Sequence, residues 1–325
     1  MNQITVSFPG LGIDNFSFTD EAFKIANSFS VYWYGVVIAL GMLMAIAYAS
    51  FRCKQMGIKV DDLIDIAIFT IFFGVIGARL YYVMLSPHLF PNLLSIINLR
   101  TGGLAIYGGI IVGAATIIVV CLIKKISWRK LWDAAGPGVM LAQAVGRWGN
   151  FFNGEAFGER IPETHPLYFM RMGLQSANSA STFGTNEMVF VHPAYLYESI
   201  WNIVGFIIIN IFYKKKKFDG EVALWYLGWY GFGRMFIEGL RTDSLMAGET
   251  GIRFSQMLSF LIFPLAIALV IYGRIVTSKQ EKALAVAGAE GAPESSDEVE
   301  EAVEEAVEET TVVEETVEEN EENDG

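Results

Sequence analysis

Cysteine and histidine are scarce. The 325 residues hold two cysteines, Cys53 and Cys121, and three histidines. No Cys-x-x-Cys pair and no Cys/His cluster occurs, which argues against a disulfide framework and a metal site. The two cysteines read as small apolar core residues, and no cofactor is expected. Positive charge is absent from Ala283 to Gly325, a stretch carrying 17 of the 35 Asp and Glu residues. The formal charge of −12 is therefore unevenly spread, because the remaining chain sets 18 acids against 23 bases. Signal-peptide features are also missing, since neither a Lys/Arg start nor an Ala-x-Ala-like site precedes the first apolar run. No repeat of the solenoid type is visible, nor are inverted halves of the kind many transporters show.

Apolar residues are abundant. They make up 53% of the chain, and the mean hydropathy is +0.41. A spanning helix needs about 20 mostly apolar residues. Seven stretches qualify: Phe29–Phe51, Leu63–Leu85, Leu104–Ile123, Leu131–Phe152, Ala194–Tyr213, Val222–Leu240 and Phe254–Gly273. The fourth contains Gly136-Pro137-Gly138, Gln143 and Arg147, and reads as an interrupted helix enclosed by its neighbours. The loops after spans one, three, five and seven carry 14 bases, and the N-terminus with the opposite loops carries six. Arg79, Arg147 and Arg234 lie within spans. The positive side is cytoplasmic, so the N-terminus is expected outside and the C-terminus inside.

The fold class expected is an all-α integral membrane protein with seven transmembrane helices. Residues 1–28 form an external segment and 29–276 the membrane domain. Within the latter, 153–193 reads as a small external cap or a solvated linker. Residues 277–325, with their recurrent Val-Glu-Glu, read as a disordered acidic tail in the cytoplasm.

Chemistry concentrates in Gly146-Arg147-Trp148-Gly149-Asn150-Phe151-Phe152-Asn153-Gly154-Glu155-Ala156-Phe157-Gly158. Glycine lets the backbone approach a ligand, and Arg147 brings a planar fork suited to phosphate or carboxylate. Charge at membrane depth marks a bundle interior or a wet cavity. Arg234 and Glu238 share one helix face. They form either a self-neutralising pair or a second anion ligand held by its acid. Arg79 either pairs within the bundle or touches a head group. Tyr34 lies in a Tyr-Trp-Tyr-Gly cluster at the end of the first span. Tyr107 sits between two glycine pairs, and His192-Pro193 opens the fifth span. With the orientation above, Tyr34, Tyr107, Arg147, His192 and Arg234 can converge on one side. On these residues alone, a transferase acting on a lipid and a transporter or channel for an anionic solute both fit.

The stretch Gly146–Gly158 resembles the signature of bacterial prolipoprotein diacylglyceryl transferases. Trp33-Tyr34-Gly35, the Gly102–Gly109 segment, His192-Pro193 with Tyr197-Glu198, and Arg234 with Glu238 resemble further motifs of that family, in the same order. The resemblance implies transfer of the diacylglyceryl group of phosphatidylglycerol to the lipobox cysteine of a prolipoprotein. A thioether forms and glycerol-1-phosphate leaves. It implies a bacterial cytoplasmic membrane enzyme whose partners are phosphatidylglycerol, prolipoprotein signal peptides and the bilayer, with no nucleic acid. Arg147 and Arg234 match the phosphate-binding and activating arginines. Tyr34, Asn150, Glu155 and Glu238 match positions needed for activity, and Gly158 one needed for binding. Many family members carry His where this chain has Tyr107. A phenol titrates near 10, so Tyr107 is expected to orient a phosphate oxygen or shape the lipid pocket. The thiol proton acceptor is left among His192, Glu155 and Tyr107.

Overall fold

The computed structural model describes residues 2–25, 29–90, 92–98, 102–243 and 253–290, with side chains omitted for 286–290. Its elements are β1 (Gln3–Phe8), β2 (Ile13–Thr19), β3 (Glu21–Ile25), β4 (Phe29–Tyr32), α1 (Trp33–Gln55), α2 (Val60–Leu85), α3 (Leu93–Ile97), α4 (Ile106–Ile123) and α5 (Trp128–Asn153). There follow β5 (Met172–Gln175), α6 (Ala177–Phe183), β6 (Val189–Val191), α7 (Ala194–Phe212), α8 (Glu221–Ile237) and α9 (Phe254–Glu290).

Among the described residues, seven long helices stand where seven apolar stretches were expected. Five of them, α1, α2, α4, α7 and α9, are long and apolar enough to cross a membrane. The chain is a mostly helical, multi-pass membrane protein. Its outward faces carry Leu43, Phe72, Ile111, Ile211 and Leu261, each more than half exposed. Such an apolar exterior would be a liability in water and matches a lipid solvent.

The most polar long helix, α5, lies inside. It packs along α1, α7 and α8 and buries Asp133, Pro137, Met140 and Gly149. The expected interruption at Gly136-Pro137-Gly138 is absent, and α5 runs unbroken from Trp128 to Asn153. Proline at 137 removes the bond that would close on the carbonyl of Asp133. That carbonyl is served instead by the Tyr213 hydroxyl at 3.1 Å, so the helix continues without an orphan acceptor.

Asp133 also fixes α8. Its carboxylate accepts from the backbone N–H groups of Gly220 at 2.9 Å and Ala223 at 3.0 Å, and from Lys216 Nζ at 2.9 Å. The first-turn donors of α8 are thus capped by a side chain from another helix. Toward the other end, α7 and α8 are stapled by two tryptophans. The rings of Trp201 and Trp229 stack at 4.4 Å. Each indole N–H donates to the other residue's carbonyl, at 3.1 and 3.0 Å. Gly233 and Gly205 lie under those indoles, where a Cβ would collide with the ring.

Strands are the main departure from the all-helical expectation. A four-stranded sheet, ordered β2-β1-β5-β6, joins the N-terminal segment to the 153–193 region. Val6 pairs with Phe16 on one side and Leu174 on the other, and Leu174 pairs with Val189. One face buries Ile4, Val6, Phe8, Met172, Leu174, Val189 and Val191 against Phe151, Phe157 and Tyr195. The physical reason is alternation: apolar residues two apart fall on the same side of a strand. The 153–193 region is therefore folded, contributing β5 and β6 to a sheet that residues 3–19 complete. A second pair, β3 with β4, leads directly into α1.

Helix α9 continues to Glu290, beyond the expected end at Gly273, so residues 277–290 of the expected tail are helical. The remainder of that tail, 291–325, lies outside the described residues.

Candidate functional site

Helix α5 ends at Gly154, which adopts a left-handed conformation with φ 58°. The chain then reverses, and the Glu155 N–H donates to the Asn150 carbonyl at 3.0 Å. This turn brings the Glu155 carboxylate back over the helix end. There it accepts from the amides of Asn150 at 3.1 Å and Asn153 at 3.2 Å. Tyr34, from the first turn of α1, lays its ring on Gly149 and lies within electrostatic reach of Glu155 and Arg147. Tyr34, Asn153 and Glu155 line an open pocket of about 630 Å³ beside β4, together with Asp20 and Asn178.

One turn deeper, Arg147 Nη2 meets Glu198 Oε2 at 2.6 Å. Glu198 Oε1 accepts from Arg234 at 3.0 Å and Arg241 at 3.3 Å. Three guanidiniums from α5, α8 and the turn after α8 thus converge on one carboxylate near the start of α7. Glu198 is 3% exposed, whereas Arg147 is 20% exposed, so the anion is the more deeply buried partner. Arg234 also pairs with Glu238, one turn on, and Glu238 accepts from the Ser255 hydroxyl at 2.5 Å. The Arg234 Nε is buried with no hydrogen-bond partner among the described residues. Tyr107 stands edge-on to Phe254 at 5.3 Å and within electrostatic reach of Arg234 and Glu238.

The residues singled out from the sequence therefore fall into linked groups. Tyr34, Asn150 and Glu155 gather at the mouth. Arg147 connects them to Arg234, Glu238 and Tyr107 through Glu198.

Gly158 and His192 form a neighbouring joint. The Gly158 N–H donates to the His192 carbonyl at 2.8 Å. A Cβ at 158 would collide with His192 and the Leu240 carbonyl. Glycine there lets the segments before α7 and after α8 close on one another, which holds Glu198 and Arg241 together. The His192 ring is buried, with Nδ1 3.3 Å from the Tyr197 hydroxyl and its face 4.7 Å from His165. Burial, aided by the His165 charge and opposed by Glu159, lowers its pKa below the ordinary histidine value. No polar contact joins it to the three arginines among the described residues.

Two members of the cluster lay outside the sequence-derived set. Glu198 stood only within a motif, and Arg241 was counted as a loop base. The available signal was electrostatic: in-span arginines need buried acids, and Glu198 is an acid at the head of an apolar helix. Arg79 belongs elsewhere. It is 4% exposed and donates to the carbonyls of Ser95, Ile96, Asn98, Gly102 and Gly103. It thus ties the α2–α4 connection rather than touching a head group.

Largely buried guanidiniums held in place by a shared carboxylate suit an anionic group that gains charge during reaction. Among the described residues no group of three His, Cys, Asp or Glu side chains could hold a metal ion.

Comparison with known proteins gives a consistent result. The family model described as prolipoprotein diacylglyceryl transferase matches residues 20–272. Phosphatidylglycerol–prolipoprotein diacylglyceryl transferase of Clostridium kluyveri is 41% identical over 256 residues, 77% of this chain and 95% of the relative. The enzyme of that name from Listeria innocua is 41% identical over 254 residues, covering 77% and 88%. That of Staphylococcus aureus is 38% identical over 261 residues, covering 80% and 91%.

Proposed function

The chain belongs to the prolipoprotein diacylglyceryl transferase family, and from that premise we propose how its side chains divide the work. The enzyme transfers the diacylglyceryl group of phosphatidylglycerol to a prolipoprotein, the first step of lipoprotein maturation. The acceptor is the lipobox cysteine of the signal peptide. Its sulfur bonds to the glycerol carbon as the carbon–oxygen bond to phosphate breaks, and glycerol-1-phosphate leaves.

That departure concentrates negative charge on phosphate oxygens. Arg147 and Arg234, whose side chains are largely buried, stabilise it where it develops. Glu198 positions both guanidiniums in the resting protein. Arg147 uses only Nη2 for this among the described residues, so Nε and Nη1 remain to grip phosphate. Glu238 holds Arg234 from behind, and Tyr107 orients a phosphate oxygen or walls the lipid. Tyr34 and Asn150 shape the mouth, and Gly158 keeps the two flanking segments closed over the head group. The thiolate is the nucleophile, and it comes from the substrate. Glu155, a carboxylate held by two amides at the open pocket, is the proton acceptor this geometry favours over the sealed His192.

All seven long helices cross the cytoplasmic membrane, with the sheet outside and the end of α9 inside. The bias of basic loops supports that orientation, and apolar neighbours enclose polar α5. The observation that carries the whole reading is the convergence of Arg147, Arg234 and Arg241 on Glu198. Incubating the purified protein with phosphatidylglycerol vesicles and a lipobox peptide tests it. The peptide cysteine gains one diacylglyceryl mass with wild type and does not with Arg147→Ala or Glu155→Gln. Unimpaired transfer by both variants would refute the assignment.

A further inference from the structure

We propose that the groove between α7, α8 and α9 binds an anionic phospholipid from the leaflet opposite the arginine cluster. The groove encloses about 760 Å³ and is walled by Trp201, Ile208, Trp225, Phe263, Ile267 and Ile271. It opens sideways, since Ile267 and Ile271 are 44% and 54% exposed, so its natural occupant comes from the bilayer.

Its length suits an acyl chain. Trp201 and Lys215 both border it, and their 14-residue separation along a helix amounts to about 21 Å. A single leaflet contributes about 15 Å of hydrocarbon. A partner helix would look for small or hydrogen-bonding residues at its contact; the small residues of this wall, Gly228 and Ala266, are buried against each other, and what faces the opening is mostly aromatic and branched aliphatic.

One end is cationic. Lys215 and Arg274 close the groove. Lys215 lies over the Phe212 ring at 4.8 Å, and neither its ammonium nor that of Lys214 has an ion pair among the described residues. Arg274 gives its Nε to Glu221 at 2.6 Å, and its side chain is 48% exposed. An apolar trough ending in Lys215, which has no ion pair among the described residues, beside the Arg274–Glu221 pair complements an anionic head group with its tail.

This is a different place from the reaction site. Glu198 and Lys215 lie 17 residues apart along α7 and its extension, roughly 25 Å at helical rise. The head group held here therefore cannot reach Arg147.

Fluorescence quenching tests the proposal on the full chain, because Trp201, Trp225 and Trp229 lie in or beside the groove. The protein is reconstituted in phosphatidylcholine vesicles containing phosphatidylserine, with bromine carried on the chains of one lipid or the other. Phosphatidylglycerol is avoided as probe, since it also visits the arginine cluster. Brominated phosphatidylserine should quench more than brominated phosphatidylcholine at equal bromine content. Lys215→Ser should weaken that preference about fivefold, which corresponds to ~1 kcal/mol for one basic residue. Adding Lys214→Ser should erase most of it, with diacylglyceryl transfer retained as proof of folding. Equal quenching by both lipids, or a preference that survives the double variant, would overturn the proposal. Absence of quenching from either lipid would also overturn it, by showing that protein covers the groove.

Discussion

Arg147 and Glu198 meet at 2.6 Å across the seam between α5 and α7. The same carboxylate takes Arg234 on its other oxygen. Two helices remote in sequence are thus set by one acid, which is 3% exposed. Removing one partner of a buried pair leaves an uncompensated charge, at a cost of about 3–5 kcal/mol. Glu198→Ala should therefore lower the thermal midpoint in detergent strongly and abolish transfer. Glu198→Asp should recover part of the stability and less of the activity, because the shorter acid cannot span both arginines.

The opposite end offers a control. Asp133 caps α8 with two backbone N–H bonds and holds Lys216. Loss of a capping side chain costs about 1–2 kcal/mol. Asp133→Ala should lower the unfolding midpoint, while transfer per folded molecule stays near wild type. Asp133 and Arg147 are 14 residues apart on one helix, about 21 Å. A folded but inactive variant would tie the two ends together.

Cys53 and Cys121 are both buried, in a cluster with Ile66 and Leu131. On the proposal that the substrate supplies the nucleophile, Cys53→Ser with Cys121→Ser should retain transfer, measured by peptide mass. A folded, inactive double variant would point to an enzyme-bound intermediate.

His192 sets a pH dependence of stability. Burial depresses its pKa below 6.5, so the unfolded chain binds its proton more readily than the folded one. Stability from this group is complete above 6.5 and is lost as pH falls below it. His192→Gln should flatten that part of the midpoint-versus-pH curve.

Helices were readable in this chain because lipid imposes long apolar runs; the polar continuation of α9 beyond Gly273 was not, because it lacks such a run. The sheet was less visible. Ile4, Val6 and Phe8 alternate with Thr5 and Ser7 and pair locally with β2, yet the second partner strand, β5, lies about 170 residues away, and long-range pairing leaves no local mark. Pro137 misled for a related reason: it breaks a helix unless the freed carbonyl is served, and the server, Tyr213, is distant in sequence. In the site, arginine and glycine were legible from residue type and spacing. Arg241 was not, because charge counting assigned it to a loop when its guanidinium points back to Glu198.

The decisive measurement is the single-turnover rate of diacylglyceryl transfer by Arg147→Lys and Arg234→Lys, each at saturating phosphatidylglycerol. Lysine keeps the charge and loses the fork. Removing one preorganised donor at a developing oxyanion typically slows the chemical step by about 10²–10³, and each variant should fall in that range while still binding the lipid. Rates within a few-fold of wild type for both would mean that these guanidiniums do not stabilise the departing phosphate.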